Sequence, residues 1–552
     1  MTPPPDPKML TRDEIVQICG DLPDWKIARI ESSGANHEEL MVALTWAQEN
    51  EVDTADHHPL TGRAAYVYEV LIAEEDIWGE ERRGLRRTCR VSAKEWKHRP
   101  NMDPASSPLL TDLYQLNMIE AYLTYGETNT AVFELFVRKL PAQRGFLVAA
   151  GLEQALAFLE TLRFSEDEID WLKGMGRFSQ STLAYLASLR FTGNVHAMPE
   201  GSLFFANEPI LRVTAPLPEA QLVEARLINI LHFQTVVASK AARMVLAAPG
   251  KLLVDFGLRR AHGAEAGLMA ARASYIAGFA GTATMLAGKM FGIPLFGTMA
   301  HSYIQTHDEE AVAFERFARA RPQDLVFLID TYVTERAARK VVALAPLLKE
   351  AGINIRGVRL DSGDLIQLSK SVRRILDDGG LREATIFASG GLEEDHLMAI
   401  AKANAPIDGF GIGTSLTTSS DVPALDCAYK LQEYAGLPRR KHSAGKATWP
   451  GRKQVWRRYD VHGRMASDTI SVENDDQQGE KLIHQVMQAG KRIVPQPTLG
   501  ESRAHAAREL ARLPEALRKL EPRASYPVNV AKALVGLAEE FDRHLREQDQ
   551  TP

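Results

Sequence analysis

Beyond about residue 108, short runs of β-branched and aromatic residues alternate with longer Ala- and Leu-rich segments, the pattern of parallel strands joined by crossover helices. The runs Leu252–Phe256, Ile293–Phe296, Leu325–Ile329, Ile355–Leu360, Thr385–Ala388 and Gly409–Gly413 predict strands, and each is followed at once by Gly, Asp, Ser or Thr. Ala337–Ala351 and Leu365–Asp377 predict helices between them. The expected fold class is therefore α/β, an irregular β/α barrel, although a doubly wound open sheet would leave a similar periodicity. In such barrels the loops after the strand C-termini carry the chemistry. Upstream, expected strands at Ala131–Val137, Leu203–Ala206 and Ile210–Thr214 mix with expected helices at Asp112–Tyr125 and Leu152–Phe164, which predicts an α+β domain beside the barrel. After about Leu437 basic and polar residues dominate, and helices at Ser502–Leu513 and Val528–Arg546 are expected to close the chain.

The first hundred residues have a separate character. A helix is expected at Thr11–Cys19, followed by an acidic stretch at Glu49–Asp56, a strand-like Tyr66–Ile72 and a basic stretch at Arg82–Arg99, which together predict a small α+β module. Arg99–Pro108 contains three prolines among small polar residues, a composition that suits a linker. The expected division is an accessory module over 1–100, a linker over 101–108, an α+β domain over 109–218, the barrel over 219–436 and a C-terminal region over 437–552.

A chain of 552 residues is too long for one ordinary domain, and 45% hydrophobic with 25% charged residues is ordinary globular composition. With 65 Lys and Arg against 71 Asp and Glu, the net charge of -6 provides no global field for nucleic acid or anionic lipid. Three cysteines, Cys19, Cys89 and Cys427, are too few for a disulfide framework or a zinc cluster. The N-terminus lacks a basic-then-apolar leader, and no stretch approaches the roughly 20 apolar residues of a membrane span. The expectation is a cytoplasmic protein with neither membrane nor nucleic acid as partner.

The candidate chemistry lies at the predicted strand ends. Phe256–Gly263 places Arg259 and Arg260 just past a Gly turn, where guanidinium forks can meet carboxylate or phosphate. Gly297–Ser302 presents His301 as a possible nucleophile, acid or base. Gly357–Asp364 carries Arg359 and two carboxylates, Asp361 and Asp364, around a Ser-Gly turn. That turn suits ribose hydroxyls or hydrated Mg²⁺, or equally the capping of the next helix by Ser362 or Asp364. Ser389-Gly390-Gly391 and Gly411-Ile412-Gly413-Thr414 offer backbone amides that can cradle phosphate. A phosphorylated sugar fits this combination best.

Thr111–Gln115 (TDLYQ), the FGLRRAHG run from Phe256, GTMAHS from Gly297 and VRLDSGD from Val358 resemble the nicotinate phosphoribosyltransferase family. So do FELFVRKLP from Phe133, Ser239–Arg243, Gly445-Lys446 and Pro450–Lys453, and the resemblance runs from about Leu109 to His544. It implies an enzyme that makes nicotinate mononucleotide and pyrophosphate from nicotinate and phosphoribosyl pyrophosphate (PRPP), with Mg²⁺, coupled ATP hydrolysis and a homo-oligomer, a dimer, as its assembly. By the same resemblance His301 is transiently phosphorylated, Tyr114, Thr298 and Arg359 contact nicotinate, and Asp361 contacts the ribose. Ser389, Gly390, Gly391, Gly411, Gly413 and Thr414 surround the 5′-phosphate, Lys240 joins the substrate-binding set, and Arg259 and Arg260 hold pyrophosphate or the nicotinate carboxylate. Ser239 and Tyr303 depart conservatively from the family pattern. A nicotinamide or quinolinate phosphoribosyltransferase is the alternative within the class, and a silent PRPP-binding sensor or scaffold the alternative outside it.

In the first hundred residues, Leu22–Trp25, Asp56–Pro59 with its paired histidines and the strand-like Tyr66–Ile72 resemble pterin-4a-carbinolamine dehydratases. Ala73–Asp76 stands where a further histidine of that family would be, so the resemblance implies a module without dehydratase activity.

Overall fold

The computed structural model describes residues 10–20, 22–49, 62–72, 106–442, 447–493, 495, 497–521 and 525–549. The paired histidines at 57 and 58, the segment 73–76, the basic stretch 82–99, Cys89, Gly445 and Lys446 lie outside them. Residues 1–100 together with 171–177 form one compact unit and the remainder forms a second.

In the first unit the described residues are helical: Arg12–Cys19, Asp24–Ser32, His37–Glu49 and Gly62–Ile72. Thr11 starts the first with a capping box to Glu14, as the Thr-x-x-Glu spacing predicts. Ile15, Ile27, Ile30, Leu40, Ala43, Val67 and Val70 make the core. Tyr66–Ile72 is thus a helix and not the strand its Tyr and Val content predicts. Val67 and Val70 recur three residues apart on one buried face, and that helical spacing overrides β-propensity.

In the second unit, Leu252–Asp255 (β1), Gly281–Thr282 (β2), Leu325–Leu328 (β3), Ile355–Leu360 (β4), Thr385–Ser389 (β5) and Gly409–Ile412 (β6) form a parallel sheet. Its order is β2-β1-β6-β5-β4-β3. Every residue of β6 is buried, as expected of a parallel strand covered on both faces. The expected strand Ile293–Phe296 survives only as one parallel bridge, Thr282 to Leu295, because Pro294 has no N–H to give a ladder. Among the described residues no ladder joins β3 to β2 or Leu295, so the expected barrel is a half-barrel.

A seven-stranded sheet stands beside it, ordered Leu437–Pro438, Cys427–Tyr434, Thr130–Val137, Pro209–Pro216, Asn194–Ala197, His484–Gln488 and Lys491–Arg492. It draws on segments far apart in the chain, and in its interior strand Thr130–Val137 only Thr130 is exposed. The 24-residue helix Glu224–Ala247, which no sequence signal singled out, packs against Leu147–Val148 of a small two-stranded sheet and against helix Ala264–Ile276.

The C-terminal segment adds a sheet that its polar composition hid: Glu480–Lys481, Lys453–Tyr459, Met465–Val472 and Val528–Val530 in that order. Val528 therefore begins a strand paired in parallel with Asp468–Ile470, and the expected closing helix starts only at Lys532. Arg457, fully buried, anchors this sheet: it bonds Asp468 through Nε at 3.0 Å and Nη2 at 2.6 Å, Glu509 at 2.8 Å and the Leu203 carbonyl at 2.9 Å. A third acidic side chain, Glu208, lies buried beside this group. Its Oε2 accepts the Phe205 N–H at 2.8 Å while Oε1 has no partner among the described residues. Burial and the Asp468 carboxylate push its pKa well above the ordinary glutamate value, against the opposing pull of Arg457, so Glu208 keeps its proton in the fold.

Arg457→Met is expected to cost about 3–5 kcal/mol in urea unfolding, because it leaves Asp468 and Glu509 buried without their cation. Glu208 binds its proton more tightly folded than unfolded. Stability therefore falls as pH rises from the unfolded glutamate pKa toward the raised folded one, and Glu208→Gln is expected to flatten that slope in thermal melts taken across pH.

Candidate active site

The strand C-termini bring together most of the predicted residues, and Arg359 near the end of β4 is the common partner. Its Nε donates to Ser389 Oγ at 2.9 Å, Nη2 to Asp361 Oδ1 at 2.6 Å, and Nη1 to Thr298 Oγ1 at 3.3 Å and the Met299 carbonyl at 3.4 Å. Its guanidinium lies 5.5 Å over the Phe256 ring. Partial burial alone would raise the Asp361 pKa, but the Ser389 hydroxyl bond and the Arg359 cation hold it below the usual carboxylate range. Asp361 is therefore ionised at neutral pH.

His301 opens a short helix, His301–Gln305, and its side chain is 38% exposed. Nδ1 meets Thr331 Oγ1 at 3.1 Å, and Nε2 faces Asp361 Oδ2 at 3.7 Å. Behind these groups Asp330 accepts the Asp361 N–H at 2.8 Å and the Ser362 hydroxyl at 2.7 Å. Asp330 and Thr331 were not singled out from sequence, yet the signal was present: they follow the run Leu325–Ile329 just as Asp361 follows its own strand. Asp364 accepts the N–H groups of Ile366 and Gln367, both at 3.1 Å, so it is the helix cap that its position allowed.

The Gly turns are required by close approach. Gly390 has φ +93°, and a Cβ there would stand 2.0 Å from the Asp361 carbonyl oxygen. At Gly257 a Cβ would meet Thr417 at 2.7 Å. Gly411 and Gly413 end β6 and open the short helix Thr414–Thr417, and the Ser415 hydroxyl donates to the Leu392 carbonyl, tying the two phosphate-type turns together. Asp255 underpins the neighbouring turn by accepting the Gly257 N–H at 2.8 Å and the Thr282 hydroxyl at 2.7 Å. Arg259 and Arg260 project from that turn, exposed and with no side-chain partner among the described residues.

Two expected members stand apart. Tyr114 lines a cavity of about 640 Å³ with Glu224, Phe133, Tyr429 and Lys430, away from the Arg359 group, and burial with the Glu224 carboxylate pushes its pKa up to about 12. Lys240, expected to touch substrate, is 1% exposed and its ammonium is taken up by Glu394 and by Asp421 at 2.9 Å. Its expected place in the substrate-binding set came from the resemblance; in the structure its ammonium is paired with these two carboxylates.

Three family models match the chain in order: the nicotinate phosphoribosyltransferase N-terminal domain over residues 109–232, the nicotinate phosphoribosyltransferase family over 252–436, and its C-terminal domain over 472–538. The site residues from Phe256 to Thr414 fall in the second. Nicotinate phosphoribosyltransferase pncB2 of Mycobacterium tuberculosis is 49% identical over 430 residues, covering 78% of this chain and 92% of that one. The Bos taurus nicotinate phosphoribosyltransferase is 32% identical over 80% of this chain and 97% of its own length. The crystal structure of human nicotinic acid phosphoribosyltransferase superposes with a TM-score of 0.71 at 29% identity, covering 78% of this chain and 99% of that one. With half-barrel, strand-end cluster and near-half identity in agreement, the chain belongs to the nicotinate phosphoribosyltransferase family.

Proposed function

We propose that the chain transfers the phosphoribosyl group of PRPP to nicotinate in NAD salvage, giving nicotinate mononucleotide and pyrophosphate, with ATP hydrolysis coupled. The single observation that carries this reading is the Arg359–Asp361–Ser389 cluster at the strand C-termini, beside glycine turns that leave backbone amides free for phosphate. The pyridine nitrogen attacks the anomeric carbon, its bond to pyrophosphate breaks, and positive charge develops on the ribose. Asp361, ionised and held by Arg359, faces that charge, so positioning and electrostatics provide the catalysis. The turns at Gly390–Gly391 and Gly411–Thr414 hold the 5′-phosphate, while Arg259 and Arg260, without side-chain partners among the described residues, take pyrophosphate or the nicotinate carboxylate. Thr298 contacts nicotinate beside Arg359, whereas Tyr114, in its separate cavity beside Glu224, takes no part in that pyridine site within the one subunit.

Mg²⁺ fits the hard oxygen donors here, foremost Asp361, whose Oδ2 has only His301 nearby at 3.7 Å; bound with PRPP, the ion neutralises charge on the departing pyrophosphate. His301 takes the γ-phosphoryl group of ATP: its ring nitrogen forms a P–N bond, the bond to ADP breaks, and water later releases phosphate. Nε2 is the nitrogen for this, since Nδ1 is occupied by Thr331. The accompanying division is 109–218, 219–436 and 437–552 for the transferase, with 1–100 as an accessory module, working as a cytoplasmic homodimer. No helix among the described residues is long and apolar enough to cross a membrane.

Purified chain with nicotinate, PRPP and Mg²⁺ is expected to form nicotinate mononucleotide without ATP and more of it with ATP. Preference for nicotinamide or quinolinate in competition would overturn the substrate assignment. His301→Ala is expected to keep the ATP-independent rate and lose the stimulation. Arg359→Lys, which cannot bond Asp361 and Ser389 together, is expected to cost about 10²-fold in kcat/KM.

A further inference from the structure

Below the two phosphate-type turns lies a buried charge network that no substrate needs to touch. Glu394 stands at the start of helix Glu394–Lys402, three residues after Gly391, and Asp421 follows the helix that Gly413 opens. Lys240 joins them, and Arg243 adds a bond to Glu394 at 3.2 Å. Arg144, whose side chain is fully buried, grips Asp421 with both terminal nitrogens, one at 3.0 Å, and donates to Ser419 Oγ at 3.1 Å. Ser419 itself takes φ +44°, a left-handed conformation that a serine adopts only when its surroundings hold it there. The long helix Glu224–Ala247 thus reaches through two cations to the carboxylates that end both turns.

The charges do not balance. Among the described residues Arg144, Lys240 and Arg243 oppose only Glu394 and Asp421, which leaves one positive charge in excess in the segments that follow the Gly390–Gly391 and Gly413 turns. An excess buried charge is costly unless an opposite one completes it. A carboxylate such as Glu394 next to a phosphate-binding turn would repel a phosphate dianion if it stood unpaired.

We propose that this network is a positioning and charge-matching device for the 5′-phosphate of PRPP, with Lys240 as its hinge: it neutralises Glu394, aligns both turns and leaves one positive charge for the phosphate to complete. The inference rests on the placement of the 5′-phosphate given under Proposed function. Lys240 acts through Glu394 and Asp421 and touches no substrate. Its loss acts on the phosphate end of PRPP and spares the pyridine and the pyrophosphate.

The test measures binding of ribose 5-phosphate and of pyrophosphate separately by calorimetry, with the KM values for PRPP and nicotinate alongside. In Lys240→Met, ribose 5-phosphate affinity and the PRPP KM are expected to worsen at least about tenfold, with pyrophosphate binding and the nicotinate KM within about twofold. In the double variant Lys240→Met with Glu394→Gln, which removes the carboxylate charge that Lys240 had neutralised, ribose 5-phosphate affinity is expected to return to within about threefold of the unaltered chain. A merely structural ion pair would lower the melting temperature without that split between ligands. Arg243→Gln, at the less deeply buried edge of the network, is expected to show the same split in smaller measure and serves where Lys240→Met does not fold. Unchanged ribose 5-phosphate binding in the variants, or equal losses for both ligands, overturns the inference. An unaltered chain that binds neither ribose 5-phosphate nor PRPP overturns the reading of the site itself.

Discussion

Arg359 is the interaction on which the site depends. One guanidinium ties β4 to β5 through Ser389, fixes Asp361 two residues further along its own strand, and reaches across to the Thr298–Met299 turn. A planar fork with five donors can serve four acceptors in three directions while its face rests on Phe256, and an ammonium on a flexible stem cannot. Strand ends carry no side-chain order of their own beyond the last ladder bond. Here a single charged group supplies that order, and His301 is placed by contact with residues that Arg359 or Asp330 already holds.

Much of this was legible from the chain. The rule that matters, a polar or glycine residue immediately after an apolar run, marked the strand ends at Gly257, Asp361, Ser389 and Thr414, because a parallel strand buried on both faces must be apolar up to the point where it meets solvent. The same rule applied to Leu325–Ile329 would have found Asp330 and Thr331. The partners of Lys240 were not legible, because only the packing of Glu224–Ala247 against the 394–402 helix brings Glu394 to it. Composition misled twice. Tyr66–Ile72 has strand-like residues on a helical spacing, and the strands around Arg457 look like polar surface until Asp468 and Glu509 are brought to it from 11 and 52 residues away.

The difficulties at Lys240 and around Arg457 share a physical origin. This fold places whole ion clusters inside, and in each cluster the partners come from segments distant in sequence: Arg457 with Asp468, Glu509 and the Leu203 carbonyl; Arg272 with Glu200 at 2.6 Å; Lys240 with Glu394 and Asp421. A buried pair adds little net stability over an apolar contact of the same volume, because desolvation consumes most of the Coulomb gain. What it does impose is geometry, since a guanidinium satisfied in one arrangement is unsatisfied in every other.

That distinction explains where the clusters lie. Arg272 and Glu200 also hold the Gly151 N–H, at 2.6 Å from Glu200, and so lock a helix start to helix Ala264–Ile276, which follows the Arg259–Arg260 turn. Lys240 and Arg144 lock the turns after β5 and β6. Arg359 locks the mouth itself. The apolar sheet below supplies the free energy of folding, and the charged groups divide the remaining task of fixing the loops that the sheet leaves unspecified. A phosphoribosyl transfer that relies on position and field instead of a nucleophile at the sugar needs loops held in this way, because its catalysis disappears with small displacements that the hydrophobic core would tolerate.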